Sequence, residues 1–327
     1  MTGTQIDPTT VRLSDHFLLS DFMGCDSVYR LGLPNRFVGG EEALEEARVL
    51  CRHVLEPLLV KSRLSISYGY ISPELSRHIV KYQDPDMPSY HRWDHGAACD
   101  IILHEYAGPP IKAAFWADDN LPMSRTITYS ESPFICVATR ASEVFSGEPR
   151  RALYENRYEG VRKPKYVRYS DNYSTRSRQK QSHKLSHKWR GAGHPTYHGG
   201  GRCQLQHRRT GRYTVLSDFL YSKEAVSQGR YNYPRRSLDR FFLVADVYDY
   251  ILDTLDIRRM SIVRGYESPL WSDSVFSWRN GHLCFVVVPP LSTDVDAVAA
   301  TAESAPGVES VLLGKDRKVL IKISTEA

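Results

Sequence analysis

The sequence predicts an α+β protein of two tandem repeats joined by a basic, largely irregular connector. Three observations carry this. Some windows place apolar residues at helical spacing, while others alternate or run continuously apolar, as strands do. Five short blocks recur in the same order in residues 12–145 and 213–327, the mark of an internal duplication. Between them the composition changes. Residues 150–212 hold 17 Lys and Arg against 3 Asp and Glu, a net charge of +14 in a chain whose total is +5.

Taken in order, residues 1–11 read as an N-terminal arm. A helix is expected over 41–59, where Leu44, Ala47, Leu50, Cys51, Val54, Leu55 and Leu58 share a face. Glu41 and Glu42 favour the positive end of its dipole, and Pro57 is expected to bend or stop it. Residues 64–68 alternate like a strand, and Gly69-Tyr-Ile-Ser-Pro73 turns the chain into a short helix. Residues 89–100 follow, a loop running into a strand. Residues 113–117 suggest a further helix and 134–138 a buried strand. The connector, 146–212, has few aliphatic residues and cannot bury much apolar surface, so it reads as mostly irregular.

The bulk numbers exclude several classes. At 41% hydrophobic and 25% charged, the chain is ordinary for a globular protein. No apolar run approaches the roughly 20 residues of a membrane span. The first residues lack a secretory signal, and six scattered cysteines lack framework spacing, so a reducing, cytoplasmic setting is expected.

The repeated blocks are specific. Leu216-Ser-Asp-Phe219 repeats Leu19-Ser-Asp-Phe22, and residues 237–255 repeat the helix. Gly265-Tyr-Glu-Ser-Pro269 repeats Gly69-Tyr-Ile-Ser-Pro73. Trp278-Arg-Asn-Gly281 repeats Trp93-Asp-His-Gly96, and residues 320–324 repeat 134–138.

This order, with a His-Gly-Ala-Asp loop in the first copy, resembles the peptidase M15 family, the zinc D-Ala-D-Ala carboxypeptidases and endolysins of the Hedgehog/DD-peptidase fold. The resemblance is to subfamily A, common in phages, and implies a phage-encoded protein working in the host cytoplasm or with the virion. It covers most of 12–140 and, more weakly, 213–324. It implies two small domains, each a mostly antiparallel sheet backed by helices. In the family's zinc loop Gly96, Ala98 and Asp100 match, but the ligand histidine falls on Trp93, so His91 serves only if the loop is longer. The third ligand falls on Cys136. The general base falls on Pro133, with Glu131 the nearest carboxylate, and the substrate-binding arginine falls on Ile71. In the second copy the same alignment gives Trp278, Phe285, Lys322 and Glu267, which leaves no zinc site.

Two main functional readings follow. His, Asp and Cys are zinc-binding side chains, so residues 89–100 with Cys136 read as a zinc site or its remains. The candidate ligands are His91, Asp100 and Cys136, and the candidate proton-transfer groups are Glu131 and His95. A peptidoglycan hydrolase is the outcome of that reading. The other reading, which the sequence favours, is a repurposed, non-peptidase scaffold that binds a polyanion, nucleic acid foremost, through Arg176, Arg178, Lys180, Lys184, Lys188 and Arg190 of the connector. An enzyme acting on a nucleotide or modified base in the cleft of the first repeat is a third alternative. Trp93 and Trp278, shared by both copies, read as core residues that shape the loop.

Overall fold

The computed structural model describes residues 6–79, 89–106, 108–129, 133–149, 152–157, 165–168, 208–234, 238–278 and 282–324. Within these the protein is α+β. The first half begins with a 3-10 turn, Leu19–Phe22, and a short helix, α1 (Asp26–Leu31). A long helix follows in three parts: α2 (Glu41–Leu50), a π-helical stretch (Cys51–Leu55) and α3 (Glu56–Lys61). Pro57 neither stops it nor ends it. The π-helical turn just before Pro57 widens the ladder where the proline has no N–H to give, and the helix runs on to Lys61.

The first sheet has six strands: β1 (Leu64–Tyr68), β2 (Ala97–Leu103), β3 (Arg125–Tyr129), β4 (Phe134–Thr139), β5 (Ala152–Arg157) and β6 (Lys165–Arg168), in the order β1-β2-β4-β3-β5-β6. All pairs are antiparallel except β3 with β5. The last two strands lie in the expected connector, so that segment is not wholly irregular. Tyr154, Tyr166 and the β-branched Val167 suit an edge hairpin despite the charge around them. The second half repeats the 3-10 turn (Leu216–Phe219) and the long helix (Asp239–Thr254). Its four-stranded sheet comprises β7 (Ser261–Arg264), β8 (His282–Val288), β9 (Val308–Leu313) and β10 (Val319–Ser324), in the order β7-β8-β10-β9.

Strand register corrects the alignment read from sequence. Tyr68 pairs with Asp100 and Asp100 with Cys136, whereas Arg264 pairs with Val286 and Val286 with Leu320. Asp100 and Cys136 therefore correspond to Val286 and Leu320, not to Phe285 and Lys322. The second copy carries one extra residue between its tryptophan and its strand, which a count forward from Trp-x-x-Gly does not reveal.

The two halves share one core. The largest buried cluster runs from Phe17, Phe22 and Trp93 through Phe219, Phe241 and Trp278. The repeated motifs mark where the halves cross. The Asn35 N–H donates to the Val226 carbonyl (2.9 Å), and the equivalent Asn232 N–H donates to the Tyr29 carbonyl (2.8 Å). Each asparagine side chain also ties three backbone groups of its own half: Asn35 holds Met23, Tyr70 and Ser72, and Asn232 holds Leu220, Tyr266 and Ser268. Reciprocal contacts of this kind are those of an isologous, two-fold interface.

The Leu-Ser-Asp-Phe aspartates cross the same interface. Asp21 accepts from Ser261 Oγ, and Asp218 accepts from Ser65 Oγ, each at 2.7 Å. Here the symmetry breaks. Asp21 is held by Arg259, whereas Arg63, the counterpart of Arg259, turns to Glu105 at 3.0 Å and stacks on the Tyr213 ring at 4.1 Å. Burial pushes the Asp218 carboxyl up to about 6, against hydrogen bonds from Val215 and Ser65. A carboxyl raised from 3.8 in the unfolded chain binds its proton more tightly when folded. Its stabilising effect is complete at low pH and is lost as pH rises from about 4 through about 6. At 1.36 kcal/mol per unit the loss is roughly 3 kcal/mol by neutral pH. Asp218→Asn should thus be more stable than the parent at pH 7 and equal to it near pH 4. Urea unfolding at both values would show this, and a pH-independent difference would sink it.

Candidate metal centre

The centre is assembled by motifs that leave no room for a side chain. At Gly69 a Cβ would stand 2.6 Å from the Phe22 carbonyl oxygen, so the turn that follows β1 lies directly on the Leu-Ser-Asp-Phe turn. That turn receives a one-turn 3-10 helix, Tyr90–Arg92. The Ile71 N–H donates to the His91 carbonyl (2.8 Å), and His91 Nδ1 lies 2.8 Å from the Gly69 carbonyl oxygen. The chain then leaves through Trp93, left-handed at φ 58°, as Trp278 is at φ 54°. Both indoles are buried, and each Nε1 donates to the first stretch of the next strand, at Ala98 and at Cys284. Gly96 at φ 121° then lets β2 start against Thr139, whose carbonyl a Cβ would meet at 2.6 Å.

His91, Asp100 and Cys136 converge. Their donor atoms all lie within 4.8 Å of one another. His91 Nε2 is 3.7 Å from Cys136 Sγ and 3.8 Å from Asp100 Oδ1. The side chains of His91 and Asp100 are 12% and 11% exposed. Because Nδ1–H is committed to the Gly69 carbonyl, the Nε2 lone pair faces the other two groups. A second bond of this kind commonly sets the tautomer of a metal-binding histidine. Among the described residues Asp100 Oδ1 is buried without a hydrogen-bond partner, which is costly unless something else satisfies it.

Burial dominates the electrostatics. It lowers the His91 imidazole to about 4 and raises the Asp100 carboxyl to about 7, although the Cys136 thiol hydrogen-bonds the carboxyl. It pushes the Cys136 thiol well up. The His91–Asp100 contact is therefore no ion pair at neutral pH, since the imidazole is uncharged. The trio is a set of nitrogen, oxygen and sulfur donors with no cation of its own. Donors sharing a tetrahedral zinc, at about 2.0–2.3 Å each, stand roughly 3.3–3.8 Å apart. The histidine distances fit that spacing, and the donor set is one zinc accepts.

Of the residues expected from sequence, the structure joins three. His95 does not enter the cluster: it is exposed, and its carbonyl receives Arg140 Nε at 3.0 Å. Glu131 lies outside the described residues, as do Arg176, Arg178, Lys180, Lys184, Lys188 and Arg190. Two neighbours were not singled out from sequence. Tyr68 packs its ring against His91 (4.8 Å, edge-on), and Arg125 adds positive potential at His91 and Cys136. The counterpart of Tyr68 in the second half is Arg264. In the second half Phe276, Val286 and Leu320 take the three donor positions, and Arg264 stacks on Phe276 at 4.0 Å. Glu267, where the first half has Ile71, is buried and bonded to Arg264, Ser222, Ser272 and Ser274.

No family model, curated protein or solved structure matches the chain. Among the described residues no helix is long and apolar enough to cross a membrane, and the five described cysteines are buried.

Proposed function

We propose that the protein is a zinc-binding member of a duplicated, peptidase-M15-like design, with one metal centre in the first half and a second half that supports it. The convergence of His91, Asp100 and Cys136 carries this reading. Zinc held by three protein ligands supplies a Lewis acid with a fourth position open to substrate. The chain's own part is to hold His91 through the Gly69 carbonyl, to pack Tyr68 against its ring, and to keep the trio largely out of water. The second half has exchanged the donors for Phe276, Val286 and Leu320 and has filled the neighbouring space with the Arg264–Glu267 network. A hydrolytic role follows from the centre, with peptidoglycan or a nucleotide as the substrate classes.

Polyanion binding is a second reading, favoured by the +14 charge of residues 150–212. Purified protein is expected to carry about one zinc per chain by elemental analysis. Metal-free protein that takes up no zinc on titration would remove the first reading and leave the second.

A further inference from the structure

A cavity of about 40 Å³ lies where the two halves cross. Ser20 and Asp21 of the first Leu-Ser-Asp-Phe turn line it, as do Ser217 and Asp218 of the second, together with Arg259. Ser20 and Ser217 are only 2% and 7% exposed, and among the described residues neither hydroxyl has a hydrogen-bond partner. A buried hydroxyl left unpaired is costly, and here it occurs at the same position of both copies. The two hydroxyls point to an occupant that takes oxygen donors.

The charge around the cavity does not balance. Asp21 is neutralised by Arg259 at 2.9 Å. Among the described residues no cation pairs with the equivalent Asp218, whose hydrogen bonds come from the Val215 N–H and Ser65 Oγ, both on Oδ2. Arg63, the counterpart of Arg259, is held by Glu105 at 3.0 Å and Asp253 at 3.4 Å and does not line the cavity. His104 Nε2 lies 2.8 Å from Ser65 Oγ, but burial lowers that imidazole to about 3, so it brings no charge at neutral pH. Two carboxylates thus share one guanidinium. Burial, with Asp21 adding to it, pushes the Asp218 carboxyl up to about 6.

We infer that this cavity binds one alkali cation, sodium or potassium, held by Asp218 and the Ser20 and Ser217 hydroxyls. The ion does for Asp218 what Arg259 does for Asp21. A carboxylate and neutral hydroxyl oxygens are donors that hard cations accept and that soft metals do not prefer. Charge selects the valence, because one positive charge completes the neutralisation of two carboxylates beside one arginine. Room selects the size, since the cavity admits roughly three water-sized atoms. That suffices for a bare alkali ion and excludes an organic cation such as choline. The site shares no donor with His91, Asp100 and Cys136, so it stands whether or not that trio holds zinc.

The test is urea unfolding of the full chain at pH 8, with sodium or potassium chloride replacing choline chloride at constant ionic strength. Above the dissociation constant of the preferred ion, one bound cation should raise the folded-to-unfolded ratio about 10-fold for each 10-fold rise in that ion. Asp218→Asn should stay folded and lose this dependence. Ser20→Ala and Ser217→Ala break no hydrogen bond among the described residues. Each should match the parent in choline and need a higher concentration of the alkali ion for the same gain. His91→Ala should keep the full dependence, which tells this site apart from the metal centre. Equal stability in sodium, potassium and choline would overturn the inference. So would an Asp218→Asn variant that keeps the dependence, or serine variants that respond to the ion as the parent does.

Discussion

His91→Ala, Asp100→Ala and Cys136→Ser are each expected to lower zinc affinity by more than about 100-fold, beyond the 10–100-fold seen when only an outer partner of a ligand is lost. The three should differ in ways that identify their roles. With cobalt added until each variant is saturated, the parent, His91→Ala and Asp100→Ala should show a sulfur-to-metal charge-transfer band that Cys136→Ser lacks. Asp100→Ala should bind metal weakly yet leave the metal-free protein at least as stable as the parent. Among the described residues Asp100 Oδ1 is buried without a hydrogen-bond partner, so removing the carboxyl relieves a desolvated group at the cost of its bond from the Cys136 thiol. His91→Ala should destabilise the metal-free fold, because it deletes the ring packed against Tyr68 and the bond to Gly69. If Asp100→Ala is as destabilising as a core truncation, the aspartate is structural and the centre is not a metal site.

How much of this was legible in the sequence follows from what each residue is held by. The repeated motifs were visible because they sit where backbones touch. Gly69 and Gly265 lie on Phe22 and Phe219, with Cβ clearances of 2.6 and 2.2 Å that admit only glycine. Such positions preserve residue identity, so they stand out in both copies. The ligand set was half legible. Asp100 and Cys136 were named through the family resemblance, but His91 fitted only a longer loop, because its place depends on reaching the Gly69 carbonyl. The correspondence of Asp100 with Val286 was hidden, since strand register is set by pairing partners and not by residue type. The two connector strands were hidden by their charge. An edge hairpin can carry Lys and Arg on its solvent side and still pair, so composition alone argued for loop.

The reciprocal interface was the least legible feature, although Arg63-x-Ser65 and Arg259-x-Ser261 repeat in the sequence. It also carries the largest expected stability effect. Arg259 meets Asp21 through two bonds, Nη2 to Oδ1 at 2.9 Å and Nη1 to Oδ2 at 3.1 Å, with the side chains only 9% and 3% exposed. It also donates to the His16 carbonyl at 3.0 Å and stacks on the Phe17 ring at 4.9 Å. Arg259→Ala would leave Asp21 charged and buried, with Leu18 N–H and Ser261 as its remaining donors. The loss of one partner from a buried pair costs about 3–5 kcal/mol. Asp21→Asn in the Arg259→Ala background should recover part of that, because the stranded charge is gone. The pair joins the two halves, and the core is continuous across them. Tryptophan fluorescence, which reports Trp93 and Trp116 in one half, Trp271 and Trp278 in the other and Trp189 between them, should therefore show a single unfolding transition in urea, moved to lower concentration in Arg259→Ala with no second step. Separate transitions for the halves would mean that the second half folds alone and does not support the half that carries His91, Asp100 and Cys136. A single transition makes the second half a structural requirement of the centre, which explains why a copy without donors keeps its buried Trp278, its Asn232 bonds and its Gly265 contact.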